Sequence, residues 1–95
     1  MDELDPVIHV QARLRIVSVL DALEPGDSLA FTRLQDLLGT TSGNLATHLR
    51  RLEEADYVRI AKTIEGRSPA TFVALTETGR LAFAGYKRAL AALLA

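Results

Sequence analysis

Apolar residues between positions 7 and 23, "VIHVQARLRIVSVLDAL", recur at Val7, Val10, Leu14, Val17 and Leu20. That is a helical period with a broad apolar face. Asp5-Pro6 just ahead predicts the start of this helix, since aspartate caps free amides and proline suits a first turn. Pro25-Gly26 in "EPGD" predicts its end. "SLA", residues 28–30, is too short to stand alone but can add as a strand to a small sheet. "FTRLQDLLG" predicts a short second helix with Phe31, Leu34, Leu37 and Leu38 inward and Gly39 as its stop.

A polar turn, "TTS", comes next, in which Thr41 or Ser42 can cap a third helix ending near Ala55-Asp56. Leu45, Leu49 and Leu52 give that helix one clean apolar stripe. "YVRIAKTI" then alternates Tyr57, Arg59 and Ala61 against Val58, Ile60 and Lys62, which is a strand pattern. "EGRSPA" is a turn and "TFVALT" a returning strand, so the pair predicts a β-hairpin with Tyr57 and Phe72 in the core of its sheet. "TETGR" caps a last helix that runs to the C-terminus. The expected fold is α+β and mainly helical: helix, short strand, helix, helix, β-hairpin, C-terminal helix, in a single domain over residues 1–95.

The outer face of the third helix changes the picture. It carries Gly43, Asn44, Thr47, Arg50 and Arg51, where a surface helix usually places long Glu and Lys side chains. Two helices joined by a tight turn, the second with a polar outer face, have the sequence form of a helix-turn-helix. The major groove of B-DNA admits one α-helix. Gly43 permits close approach; Ser42, Asn44 and Thr47 can hydrogen-bond phosphates or base edges; Arg50 or Arg51 can reach phosphate or guanine. The positive end of the helix dipole, at Thr41 and Ser42, favours phosphate. In the hairpin, Lys62 and Arg67 sit near the tip, and Arg67 projects from a stiff turn between Gly66 and Ser68-Pro69.

These residues carry a resemblance. "FTRLQDLLGTTSGNLATHLRRLEEADYVRIAKTIEGRSPATFVALTETGRLAFAGY", residues 31–86, resembles winged-helix transcriptional regulators of the MarR/ArsR-like group, and within it the small stand-alone winged helix DNA-binding domain proteins. The most specific pieces are "GNLATHLRRLEEADYV", "EGRSP" and "LTETGR". The resemblance implies a winged helix-turn-helix fold and a homodimer that binds a palindromic operator on double-stranded DNA, usually to repress. It implies a recognition helix at 41–55, a wing at 62–70, and pairing of subunits through the first and last helices. The candidate DNA-binding residues are Thr41, Ser42, Gly43, Asn44, Thr47, Arg50, Arg51, Lys62, Arg67 and Ser68. Metal-sensing members of the group use cysteine-rich sites, and this chain has no cysteine, so that role is not carried over.

Composition adds bounds. Ninety-five residues suit one small domain, and a net charge of −1 does not by itself announce a polyanion partner. The distribution says more: residues 1–40 hold seven acids against three bases, and residues 41–95 hold five acids against eight bases. No signal peptide or membrane span is expected, and the chain reads as soluble and cytoplasmic. Without a phosphate loop, a cysteine nucleophile or a suggestive Ser-His-carboxylate spacing, no enzyme, cofactor or metal site is expected; His48 reads as a packed or phosphate-facing residue, and His9 as structural or at the dimer seam. The last helix places Leu81, Phe83, Ala84, Leu90, Leu93 and Leu94 on more than one face, which favours a dimer. In related regulators a cleft near such a seam, here beside Tyr86, can hold an effector, though no pocket is designated by sequence. The alternative reading is a winged-helix module for protein interaction, which would show apolar residues on the third helix's outer face.

Overall fold

The computed structural model describes residues 3–95; Asp2, one of the acids counted above, lies outside the described residues. The elements are α1 (Gln11–Asp21), β1 (Ser28–Ala30), α2 (Phe31–Leu38), α3 (Ser42–Glu54), β2 (Val58–Glu65), β3 (Ser68–Leu75) and α4 (Glu77–Leu94). The three strands form one antiparallel sheet in the order β1-β3-β2. "SLA" thus adds to the returning strand of the hairpin, with Leu29 opposite Val73.

The core lies between the helices and one face of this sheet. Ile16, Val17 and Leu20 of α1, Leu34 and Leu38 of α2, and Leu45, Leu49 and Leu52 of α3 are buried together. Val58, Val73 and Leu75 of the sheet and Phe83 and Tyr86 of α4 close it. The helix-turn-helix is fixed from both sides of its turn. Gly39 ends α2 at φ 61, a left-handed stop that glycine adopts without strain, and its amide reaches back to Gln35 and Asp36 carbonyls. Thr41 opens α3, its Oγ1 accepting from the Asn44 amide at 3.1 Å.

Four sequence expectations change. The first helix begins at Gln11, not after Pro6. Asp5 does bind free amides, those of Val7 and Ile8, but they belong to a separate turn over residues 6–8. The Tyr57 hydroxyl donates to the other oxygen of Asp5, which ties the turn to the start of the hairpin. Leu37 is half exposed while Leu34 and Leu38 carry the inner face of α2, because the helix is only eight residues long and its buried stripe is narrow. Phe72 does not join the core: it pairs with Ala61 and Ala30, on the face opposite Val58, Val73 and Leu75. A strand flips face at every residue, so neighbouring Val73 and Phe72 cannot share one.

The hairpin is also longer than the sequence suggests. Glu65 pairs with Ser68, so the turn is two residues, Gly66 and Arg67, with Gly66 at φ 62. A type II′ connection puts a glycine first in this way. Ser68 and Pro69 therefore belong to β3. Proline is tolerated here because the pair Ile64–Pro69, next to the closing pair of the turn, points its backbone nitrogen away from β2. β1 reaches only Phe72 along that side.

Candidate nucleic-acid interface

Three buried leucines hold α3 in place: Leu45, Leu49 and Leu52 are each 1% exposed or less. At 3.6 residues per turn, that fixes which residues turn outward. Ser42, Gly43, Asn44, Thr47, Arg50 and Arg51 are all exposed, as is Thr41 at the cap. The Thr47 hydroxyl donates to the Gly43 carbonyl at 3.0 Å, which leaves its oxygen able to accept. With the Asn44 amide taken by Thr41, the amides of Ser42 and Gly43 remain at the open, positively polarised end of the helix.

Gly43 has a particular place in this face. A Cβ built there meets nothing within 4 Å. No packing inside the molecule requires glycine, although a helix pays up to about 1 kcal/mol for glycine over alanine. What the missing side chain provides is a low surface at the first turn of α3.

An open groove of about 510 Å³ runs between α3 and the hairpin. Arg50, Ala46 and Glu53 line it from α3, Lys62 and Ile60 from β2, and Thr71 from β3. Lys62 and Thr71 are register partners, so the groove wall is built by the hairpin ladder. Arg50 and Lys62, 12 positions apart in sequence, thus present two cations to one concavity. Arg51 follows one residue after Arg50 and so turns about a quarter of a circle away from the groove. The two arginines face different surroundings, a distinction that adjacency in sequence hides. Arg67 and Ser68 are exposed at the hairpin tip, beyond Lys62.

Ala46, Glu53 and Thr71 of the groove escaped the sequence reading, whereas Arg50 and Lys62 were among its candidates. Ala46, Arg50 and Glu53 follow the i, i+4, i+7 spacing and could have been grouped as one stripe. Thr71 needed the register, which depends on where the two-residue turn falls. Behind α3, Arg13 Nη1 lies 3.4 Å from His48 Nδ1 while its Nε donates to the Val7 carbonyl at 2.6 Å. His48 is therefore a bracket between α1 and α3. His9 Nδ1 hydrogen-bonds the Tyr86 hydroxyl at 2.9 Å, joining the N-terminal turn to α4. Among the described residues no cluster of His, Asp and Glu could hold a metal ion, and no helix is long and apolar enough to cross a membrane.

A helix-turn-helix, a three-stranded sheet and a projecting hairpin beside the second helix define the winged-helix class of protein. The sequence matches the family "Winged helix DNA-binding domain" over residues 12–94. It is 35% identical over 80 residues, 84% of each chain, to an uncharacterized protein of Methanocaldococcus jannaschii, MJ0432. Among solved structures it is similar to a transcriptional regulator homologue protein from Pyrococcus horikoshii OT3, with 30% identity and a TM-score of 0.74 over 92% of this chain and 87% of that one. NolR from Sinorhizobium fredii shares the fold at 14% identity, with a TM-score of 0.63 over 95% and 96% of the two chains. The chain belongs to the winged helix DNA-binding domain family, a class of DNA-binding transcriptional regulators.

Proposed function

We propose that the chain is a single winged-helix domain over residues 1–95 acting in the cytoplasm as a homodimeric, sequence-specific repressor at a palindromic operator. The observation that carries the DNA-binding face is the shared groove of Arg50 and Lys62. A duplex that takes α3 into its major groove runs one phosphate strand between that helix and the wing. Two cations on opposite walls suit that strand. In this reading Thr41 and Ser42 hold a phosphate at the helix start, Gly43 lets the backbone of α3 come close, and Asn44, Thr47 and Arg51 face base edges. Arg50 and Lys62 take the strand in the groove, and Arg67 with Ser68 extends the contact along the wing. Base edges supply specificity and phosphates supply register.

Exposed leucines on α4 support the dimer. Leu81, Leu93 and Leu94 are 66%, 65% and 75% exposed, while Phe83, Tyr86 and Ala89 of the same helix pack on the core. A second copy would cover these leucines, which lie on more than one side of α4, and two-fold pairing through α1 and α4 would set two reading helices about 34–36 Å apart along the duplex. Such a dimer represses by occupying its operator.

Fluorescence anisotropy tests this with the duplex upstream of the chain's own gene, a scrambled duplex beside it, and salt varied. Tight binding to the first, weak binding to the second and a steep salt slope support a sequence-specific regulator. No binding to either at low salt favours the protein-interaction module. Arg67→Ala should weaken binding and reduce the slope of log K against log salt by about 0.9 for each protomer bound, one phosphate's worth apiece. An unchanged affinity and slope would remove the wing from the interface.

A further inference from the structure

The wing ends in an apolar tip that the fold does not use. Ile64 is 80% exposed, above every other exposed large hydrophobic among the described residues. It pairs directly with Pro69 across the hairpin, two residues beyond the pair Lys62–Thr71. Because strand faces repeat every second residue, Ile64 and Pro69 lie on the same face as Lys62 and Thr71, which line the groove with α3. Along β2 that face passes from Val58, 2% exposed in the core, through half-buried Ile60 and exposed Lys62 to Ile64. Strand propensity alone does not call for isoleucine at the end of this series. Threonine serves the same backbone preference at Thr63 and Thr71 without exposing a butyl group. Edge strands usually carry charges at such positions. Here two cations, Lys62 on the groove side and Arg67 on the turn, flank an apolar pair instead.

We propose that Ile64, backed by Pro69, is a wedge for the minor groove of the DNA that α3 holds, and that it makes the protein prefer an easily unstacked pyrimidine–purine step under the wing. This rests on the DNA-binding reading above. The occupant follows from continuity with the groove face and from the flanking charges. Lys62 and Arg67 suit the phosphate walls of a minor groove, and the apolar tip between them suits its floor of sugars and base edges. Isoleucine and proline are among the side chains that enter base steps and kink a duplex. Steps such as TA and CA open more easily than others, so a wedge reads them as deformation energy without a hydrogen bond.

The test uses the full chain and the upstream duplex, once its footprint is known. A series of duplexes carries TA, AA or GC at the position beneath the wing. Energy transfer between dyes at the duplex ends reports bending, and anisotropy reports affinity. The wild-type chain should favour TA over GC by about tenfold, in the range of a single mismatched position, and bend the TA duplex. Ile64→Thr should erase both the preference and the bend, with the salt slope and the urea midpoint unchanged. Arg67→Ala should lower the slope and keep the step preference. Ile64→Thr with preference and bend intact, or a wild-type chain indifferent to the step, overturns the wedge while leaving DNA binding in place. A wild-type chain that binds no duplex overturns the reading beneath it as well. A dimer that dissociates on Ile64→Thr without DNA assigns the tip to a second copy of the chain and also overturns the proposal.

Discussion

α3 and the hairpin that follows it turn the same kinds of residue to solvent, short polar side chains and cations, but the fold holds them differently. α3 is gripped by Leu45, Leu49 and Leu52, all essentially buried, and bracketed from behind by Arg13 and His48. Beyond Ile60 and Val73 the hairpin has no buried residue among those described. Its outer half is held by the backbone ladder to a two-residue turn and anchored only at its base. A surface fixed by burial is preorganised, and its geometry is lost only with the core. A surface fixed by a ladder can bend toward a partner, and changes there should alter binding with little effect on stability.

The strongest way to test this contrast is to remove the grip on α3. Leu49→Ala should destabilise the protein by about 3 kcal/mol, within the range for a fully buried leucine, read as a shifted urea midpoint. Arg67→Ala on the wing should stay within about 0.5 kcal/mol of the wild type in the same assay. Equal losses from both would mean the hairpin is as integral to the core as α3.

The anchor of the hairpin comes next. The Tyr57 carbonyl, at the start of β2, accepts from the Thr76 amide at 3.0 Å, and the Thr76 hydroxyl donates to the Asp56 carbonyl at 2.6 Å. Gly79, one turn into α4, lies against that junction: a Cβ there would fall 2.2 Å from the Tyr57 carbonyl oxygen. Backbone cannot step aside as a side-chain tip can. Gly79→Ala should therefore cost about 2 kcal/mol, typical of overpacking, measured in the same denaturation series. A neutral result would show that α4 can shift away from the hairpin base.

A smaller effect belongs to Tyr57 itself. Burial, then the hydrogen bond to Asp5 and its negative charge, push the phenol up to about 12. The folded state therefore favours the protonated phenol. This contribution is complete below the ordinary tyrosine value of about 10 and is lost as pH rises from there toward 12. Between pH 9 and pH 11.5 the wild type should lose stability more steeply than Tyr57→Phe, which has no proton to give up. Parallel curves would show that the turn at residues 6–8 does not depend on this bond.

The smallest stability effect sets Gly43 of α3 against Gly79 of α4. Gly43→Ala meets open space, so it should leave stability unchanged or raise it by a few tenths of a kcal/mol, seen as a slightly higher urea midpoint. In the proposed interface the same change should weaken DNA binding in anisotropy, because the new methyl group would stand on the face assigned to DNA there. Unweakened binding would remove the close approach at Gly43 from the proposed interface.

These cases mark what local pattern carries. The helix-turn-helix was legible because its signals are short-ranged: a leucine stripe, a left-handed glycine at 39, a threonine cap at 41. The exposed candidates on α3 were legible for the same reason, since three buried leucines leave the other positions no choice. Ile64 could have been found by extending the strand alternation past Lys62, but treating all of "EGRSPA" as turn hid the register that pairs it with Pro69.

By itself, the sequence determined the order of elements, the stop of α2 at Gly39, the polar cap of α3, and the membership of the outer face of α3. Hydrogen bonds and apolar periods within a few residues specify all of these. Only the tertiary structure decided that the chain from Asp5 to His9 makes a turn rather than a first helical turn, because Tyr57, far along the sequence, holds Asp5. It decided that Phe72 leaves the core, that Arg50 and not Arg51 shares a groove with Lys62, and that α4 needs glycine at position 79. Each depends on the distance between segments remote in sequence, and a local pattern contains no term for that distance until the core has set the elements against one another.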